Sequence, residues 1–255
     1  MRLRLGRSAA VLTVISAAVA VGVSLAPSLS EVNAQTASFG ETSTVGALFT
    51  VSSSGQLQDH FCTASVVDSP GGDLILTAAH CLAGRTAGEV AFVPDYSEGQ
   101  EPFGAWTASQ FIVDRQWTSS SDPDDDFAFL LVRQAGSKSG VQTLTGGEAV
   151  GVGVAPGRTV KVAGYPNAGD ALISCENTAG EFSPTQYQFD CGGFTDGTSG
   201  SPLLADVGAF SGVDTVIGVI GGYEQGGDTP SVSYAARFST RLAALYQRAL
   251  AAARR

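Results

Sequence analysis

The chain is poor in the residues that most hydrolytic and metal-dependent chemistries draw on. It has only two histidines, His60 and His80, one methionine, four cysteines and 15% charged residues in 255 positions. Any imidazole base must therefore be one of two residues. No cysteine pair has the Cys-x-x-Cys spacing and histidine is scarce, so a zinc site is not expected. With 14 basic against 24 acidic residues, net −10, the chain lacks the positive footprint of a nucleic-acid binder. It also lacks the strong charge and low hydrophobicity of a disordered chain, since 44% of its residues are hydrophobic. Glycine is abundant, 32 residues, but follows no three-residue period; that excludes collagen and implies many tight turns.

One long apolar run is present, and it stands where an export signal would. Arg2, Arg4 and Arg7 precede an apolar stretch from about Ser8 to Ala26, followed by Pro27 and the small-residue pattern Val32-Asn33-Ala34. Charged, apolar, small-residue order marks a secretory leader, and the run of roughly 19 residues is borderline for a membrane span. Cleavage near Ala34 is expected. The first residues hold no adjacent Arg pair, so twin-arginine export is not indicated. Loss of residues 1–34 removes three arginines and one acid, Glu31, leaving the exported chain more acidic still. All four cysteines lie in the exported part, where an even number implies two disulfides. Three connectivities are open; the expected one joins Cys62 to Cys81 and Cys175 to Cys191, each staple contributing on the order of 3 kcal/mol.

After a polar segment to about Ser43, short apolar runs alternate with turn signals. Val45–Val51, Phe61–Val67, Leu74–Ala79, Val90–Val93 and Phe127–Val132 read as strands, broken by Ser69-Pro70-Gly71-Gly72 and Asp122-Pro123 among others. Gln134–Gly147 looks like a linker. Beyond it, Thr159–Ala163, Leu172–Cys175, Gln186–Phe189, Leu203–Leu204, Val216–Ile220 and Ser231–Tyr234 repeat the strand pattern. This is an all-β chain in which duplication around a linker favours two barrels. Helix is expected only at the end, where Leu242, Leu245, Tyr246, Ala249 and Leu250 recur at helical spacing behind a possible N-cap, Ser239. The expected organisation is a leader over 1–34, a short segment over 35–44, one barrel over 45–140, a second over 141–236 and a terminal helix over 237–255.

Three segments carry chemistry. Leu74 to Cys81 runs a buried strand into His80, whose neighbour Cys81 can anchor it, as a general base of fixed orientation requires. In Asp122-Pro123-Asp124-Asp125-Asp126, Asp126 directly precedes an apolar strand and would be drawn inside, where its carboxylate needs a partner such as an imidazole N–H. In Gly197-Thr198-Ser199-Gly200-Ser201-Pro202, Ser199 sits in a glycine-flanked turn that can aim the N–H groups of Gly197 and Ser199 at one point. Taken singly, these are a structural histidine, a solvated acidic loop and an ordinary turn. Their order, His, Asp, Ser, fits one mechanism.

On these residues the chain resembles the trypsin-like, chymotrypsin-fold serine proteases of the secreted bacterial kind. Thr77-Ala78-Ala79-His80-Cys81 matches that family's histidine motif residue for residue, Asp126-Phe127-Ala128-Phe129-Leu130 its aspartate segment, and Gly197 to Pro202 its serine loop. His60-Phe61-Cys62-Thr63-Ala64-Ser65 is similar to the strand whose cysteine pairs with the one after the histidine. The resemblance runs from about Val45 through the final helix and implies two six-stranded antiparallel barrels with a C-terminal helix. It implies a catalytic triad of His80, Asp126 and Ser199, an oxyanion hole from Gly197 and Ser199, a peptide or protein substrate, and no cofactor or metal. A monomer without membrane or nucleic-acid partners is expected. Counting back six residues from Ser199 puts the floor of the primary pocket at Gly193, which gives no acid to attract Arg or Lys. Gly221-Gly222-Tyr223 resembles the strand that pairs with substrate, with Tyr223 narrowing the pocket toward an apolar or small side chain. Two departures stand out. Thr198 replaces an Asp that pairs with a newly cut N-terminus in many relatives, so activation through that ion pair is not implied. Ser201 replaces a second Gly.

Scarcity of histidine also removes rivals. An α/β-hydrolase esterase needs a His after its nucleophile, and none follows Ser199. A subtilisin-like order needs Asp before His, and the strand-rich pattern opposes its α/β fold. The surviving alternative is a catalytically inactive, secreted binding module on the same fold.

Overall fold

The computed structural model describes residues 43–206 and 214–254, so the leader and most of the short segment expected at 35–44 lie outside the described residues. Six strands form a closed barrel: β1 (Val45–Val51), β2 (Leu57–Val66), β3 (Leu74–Thr77), β4 (Val90–Pro94), β5 (Trp106–Val113) and β6 (Ala128–Arg133), in the order β1-β2-β3-β6-β5-β4. Seven more follow: β7 (Ala149–Val150), β8 (Arg158–Gly164), β9 (Ile173–Ser183), β10 (Gln186–Asp190), β11 (Pro202–Ala205), β12 (Thr215–Val219) and β13 (Val232–Ala236). They make one sheet in the order β13-β10-β9-β8-β11-β12-β7. An antiparallel bridge between Ile220 and Ala235 brings its two sides together.

The architecture is the expected chymotrypsin-like one, with a correction to the second half. It holds seven strands rather than six and is not wholly antiparallel, because the two-residue β7 pairs in parallel with β12. The expected linker folds in part as well, with a short helical turn at Gln142–Thr145.

Burial explains which strands announced themselves. β6 reads as an unbroken apolar run because both of its faces are covered. Ala128, Leu130 and Val132 point into the first barrel with Leu48, Ile75, Phe92 and Trp106. Phe129 and Leu131 point the other way, into a second apolar cluster with Leu74, Leu76, Leu242, Leu245 and Ala249. β3 divides likewise, Ile75 inward and Leu74 and Leu76 outward. The second sheet closes on Val160, Val162, Tyr187, Phe189, Leu203 and Ile217.

The outward cluster is completed by the C-terminal helix, Thr240–Ala252, capped by the Ser239 side chain, which accepts from the Arg241 N–H. Tyr246 stacks on Phe129 at 5.4 Å, and Arg241 ion-pairs with Asp125, reaching Asp122 at 3.7 Å. The helix therefore clasps the outside of the first barrel beside the acidic turn that ends at Asp126.

Candidate active site

Antiparallel register brings the first two functional side chains together. β3 and β6 pair with Thr77 opposite Ala128, so the residues just after β3 and just before β6 emerge side by side. The first run curls into a one-turn helix, Ala79–Leu82, carrying His80; the second is a turn, Pro123–Asp125, closed by Asp126. His80 Nδ1 lies 2.7 Å from Asp126 Oδ2, and the His80 backbone N–H donates to Oδ1 at 2.8 Å. A third donor, the Gly222 N–H, reaches Oδ2 at 2.8 Å. Asp126 is fully buried, and a buried carboxylate is tolerated only when its oxygens are satisfied, as here. The disulfide Cys62–Cys81 anchors the chain immediately after His80, and Cys175–Cys191 staples the second half.

Ser199 lies between β10 and β11, in a loop held from the first barrel by Thr63. The Thr63 N–H donates to Ser199 O at 2.8 Å, its hydroxyl donates to Gly197 O at 3.1 Å and accepts from Tyr165 N–H at 2.9 Å, and its carbonyl accepts from the Thr77 hydroxyl at 2.7 Å. Two glycines are required by this closeness. Gly200 has φ +85°, and a Cβ there would stand 2.1 Å from Thr63 O. Gly197, at φ +95°, would drive a Cβ within 2.6 Å of the Tyr165 carbonyl. Asn167 N–H donates to Asp196 O at 2.7 Å, fixing the peptide that leads into Gly197. Among the described residues the Gly197 and Ser199 N–H groups have no partner within the chain, as donors reserved for a ligand oxygen would require.

His80 and Ser199 line the same two cavities. The wide one, about 1030 Å³, continues along Phe194, Thr195, Ile220, Glu224–Pro230 and Ser233. The narrow one, about 300 Å³, continues along Phe61, the Cys62–Cys81 disulfide, Ala83 and Arg85. Cys62, His80 and Cys81 form the one grouping with metal-ligand spacing among the described residues, and both sulfurs are consumed by the disulfide.

The expected substrate-side residues are placed differently. Gly193 is exposed and does not line the wide cavity; the buried Phe194 beside it does. Gly221, Gly222 and Tyr223 do not continue a strand. β12 stops at Val219, and Glu224 and Gln225 take left-handed conformations, φ 49° and 53°, that curl the chain into a turn. Gly222 N–H faces Asp126, and Tyr223 packs on Phe182 and Tyr234 at 4.9 and 5.1 Å. The cavity wall falls instead to Glu224–Pro230.

A residue outside every motif links these parts. Gln186, buried at the start of β10, donates through Nε2 to Pro123 O at 3.1 Å and Asp124 Oδ1 at 2.7 Å, while Oε1 accepts from Tyr223 N–H at 3.4 Å. It ties the turn bearing Asp126 to the turn whose Gly222 N–H binds Asp126. On the other flank, burial pushes the Asp125 carboxyl up, and Arg241 opposes that shift.

Comparison with known proteins agrees with this fold. Among solved structures, the fold is similar to the protease Anisep from Arthrobacter nicotinovorans, 25% identical over 85% of this chain and all of that one, TM-score 0.71. It is also similar to the thermostable serine protease AL20 from an extremophilic microorganism, 24% identical over 82% of this chain and 97% of that one, TM-score 0.68. A Glu endopeptidase crystallised with MPD shares the fold at 16% identity over 85% and 96% of the two chains, TM-score 0.64. A search of proteins with curated functions returns no match. The sequence model of the trypsin-like peptidase domain matches residues 62–213, more than half of the chain and spanning His80, Asp126 and Ser199: the chain belongs to the trypsin-like peptidase family.

Proposed function

We propose that the chain is a secreted serine endopeptidase working through Ser199, His80 and Asp126. The observation that carries this reading is the triple donation to Asp126. It holds the His80 ring by Nδ1 within a cleft that both His80 and Ser199 line. With Nδ1 engaged by a carboxylate, Nε2 is the nitrogen left to take the Ser199 proton as the hydroxyl attacks a peptide carbonyl. Asp126 keeps the imidazole in that tautomer and stabilises its charged form. The N–H groups of Gly197 and Ser199 receive the oxyanion, the amine leaves with the proton from His80, and water then hydrolyses the acyl-enzyme.

Export rests on the leader pattern and on the two disulfides, which belong to an oxidising compartment. Among the described residues no helix is long and apolar enough to cross a membrane. Phe194 and Ile220 give the wide cavity an apolar surface suited to an apolar or small side chain on the acyl side of the cleaved bond, and Asp196, Glu224 and Asp228 line the same cavity.

The test is a fluorophosphonate probe applied to the exported protein. The expected result is one labelled serine, lost in Ser199→Ala with no change in the circular dichroism spectrum. Labelling that survives the substitution would sink the assignment, and a folded parent chain that takes no label would be the inactive binding module.

A further inference from the structure

Among the described residues Arg85 is the only lysine or arginine that lines either cavity. It belongs to the narrow one and not to the wide one, while His80 and Ser199 line both. Its guanidinium carbon lies 3.7 Å from the centre of the Phe61 ring, and Nη1 donates to the Thr50 hydroxyl at 2.9 Å. Both contacts fix the fork without neutralising it, since an aromatic face and a hydroxyl carry no net charge. Two arginines of the C-terminal helix are paired instead: Arg241 with Asp125 and Asp122, and Arg248 at 3.8 Å from Asp114. Among the described residues no carboxylate pairs with Arg85. Glu89 feels its charge but commits Oε2 to the N–H and hydroxyl of Thr86, both at 2.8 Å.

A chain with 24 acidic and 14 basic residues offers many partners for an arginine, yet this one rests on Phe61 and Thr50, lining a cavity, with most of its five donors uncommitted. A planar guanidinium matches a carboxylate in two parallel hydrogen bonds, and one already immobilised loses little freedom when it binds. Asp196, the acid that also lines this cavity, lines the wide one too and so stands at the boundary beside Ser199; Arg85 lines the narrow cavity alone.

We propose that Arg85 recognises a substrate carboxylate on the leaving-group side, so that the enzyme cleaves fastest where Asp or Glu follows the broken bond by one or two residues. The inference rests on the proteolytic reading above, with the wide cavity holding the acyl side.

The experiment uses internally quenched peptides that differ only in carrying Glu, Gln or Lys at the first or second position after the cleaved bond. For the parent enzyme at low salt, kcat/KM for the Glu peptide should exceed that for the Lys peptide about tenfold, at the position nearer Arg85. The ratio should shrink as sodium chloride is raised, because the charges meet at a partly exposed site. Arg85→Ala should bring the ratio near one, Arg85→Lys should restore part of it, and Arg85→Glu should reverse it. A ratio unchanged in Arg85→Ala overturns the proposal. A parent enzyme whose Ser199 is labelled by the fluorophosphonate probe but shows no Glu preference overturns it while leaving the proteolytic reading intact. A parent that neither labels nor cleaves removes both.

Discussion

Glu148 provides a test of the electrostatics that does not depend on catalysis. It sits just before β7, 5% exposed, with its own N–H donating to Val66 O and its carbonyl accepting from Asp68 N–H, so its backbone cannot retreat toward water. The carboxylate receives one strong hydrogen bond, from the Thr44 hydroxyl at 2.6 Å, and has Asp68 and Asp214 nearby. Burial, the largest cause, pushes its pKa from 4.5 to about 7, and the neighbouring acids add to it against the Thr44 bond and Lys161. Between those two values the folded chain keeps a proton that the unfolded chain has released. The contribution of this group to stability must therefore fall as pH rises from 4.5 to 7 and level off above. At 1.36 kcal/mol per pH unit of difference, the loss from this one group approaches about 3 kcal/mol. Glu148→Gln keeps the shape and an oxygen to accept from Thr44, and removes the titration. The variant should match the parent near pH 4.5 and exceed it by about 2 to 3 kcal/mol at pH 8. Urea unfolding with disulfides intact, in a Ser199→Ala background to prevent self-digestion, gives both free energies, and equal m-values would confirm that the reference state is unchanged. Asp73, Asp95 and Asp125 are also pushed up by burial, so the difference between variant and parent is the quantity that isolates Glu148. A parent-minus-variant difference that does not change with pH would refute the reasoning.

Two further outcomes follow from the site. Gln186→Met retains length but none of the three hydrogen bonds; loosening of the two turns that meet at Asp126 should lower kcat about tenfold, and the loss should exceed any change in KM. A purely structural role would instead lower the unfolding midpoint and leave kcat of the folded fraction unchanged. Gly200→Ala forces a methyl against Thr63 O and the Thr77 hydroxyl in a backbone conformation alanine avoids, and should cost about 3 kcal/mol or more, visible as a lowered Tm and absent secretion.

How legible each part was depends on what carries it. β6 stood out because both of its faces are buried, and the ends of β3 and β6 could be paired by register once both were recognised. β5 left no trace in the pattern: a register shift between Ala108 and Gln110 breaks its alternation, so exposed and buried residues fall out of step. The roles proposed for His80, Asp126 and Ser199 are side-chain roles, and sequence records side chains directly. Asn167 and Gly222 act through backbone N–H groups, which almost any residue could supply, so nothing in their identity revealed them. The turn after β12 misled for a related reason. Gly221 and Gly222 accept either an extended or a curled path, and the left-handed conformations of Glu224 and Gln225 are set by tertiary fit rather than by preference.

The docking of the C-terminal helix has a consequence for the order in which the chain can be assembled. Arg241 and the apolar residues of Thr240–Ala252 brace the turn that ends at Asp126, although some 115 residues of chain are synthesised between them. A fragment that already contains His80, Asp126 and Ser199 but not Thr240–Ala252 lacks the helix that covers Phe129 and Leu131 and pairs with Asp125. The outer face of that turn is therefore covered by residues that are added to the chain long after it, and the turn and the helix reach their packed form together.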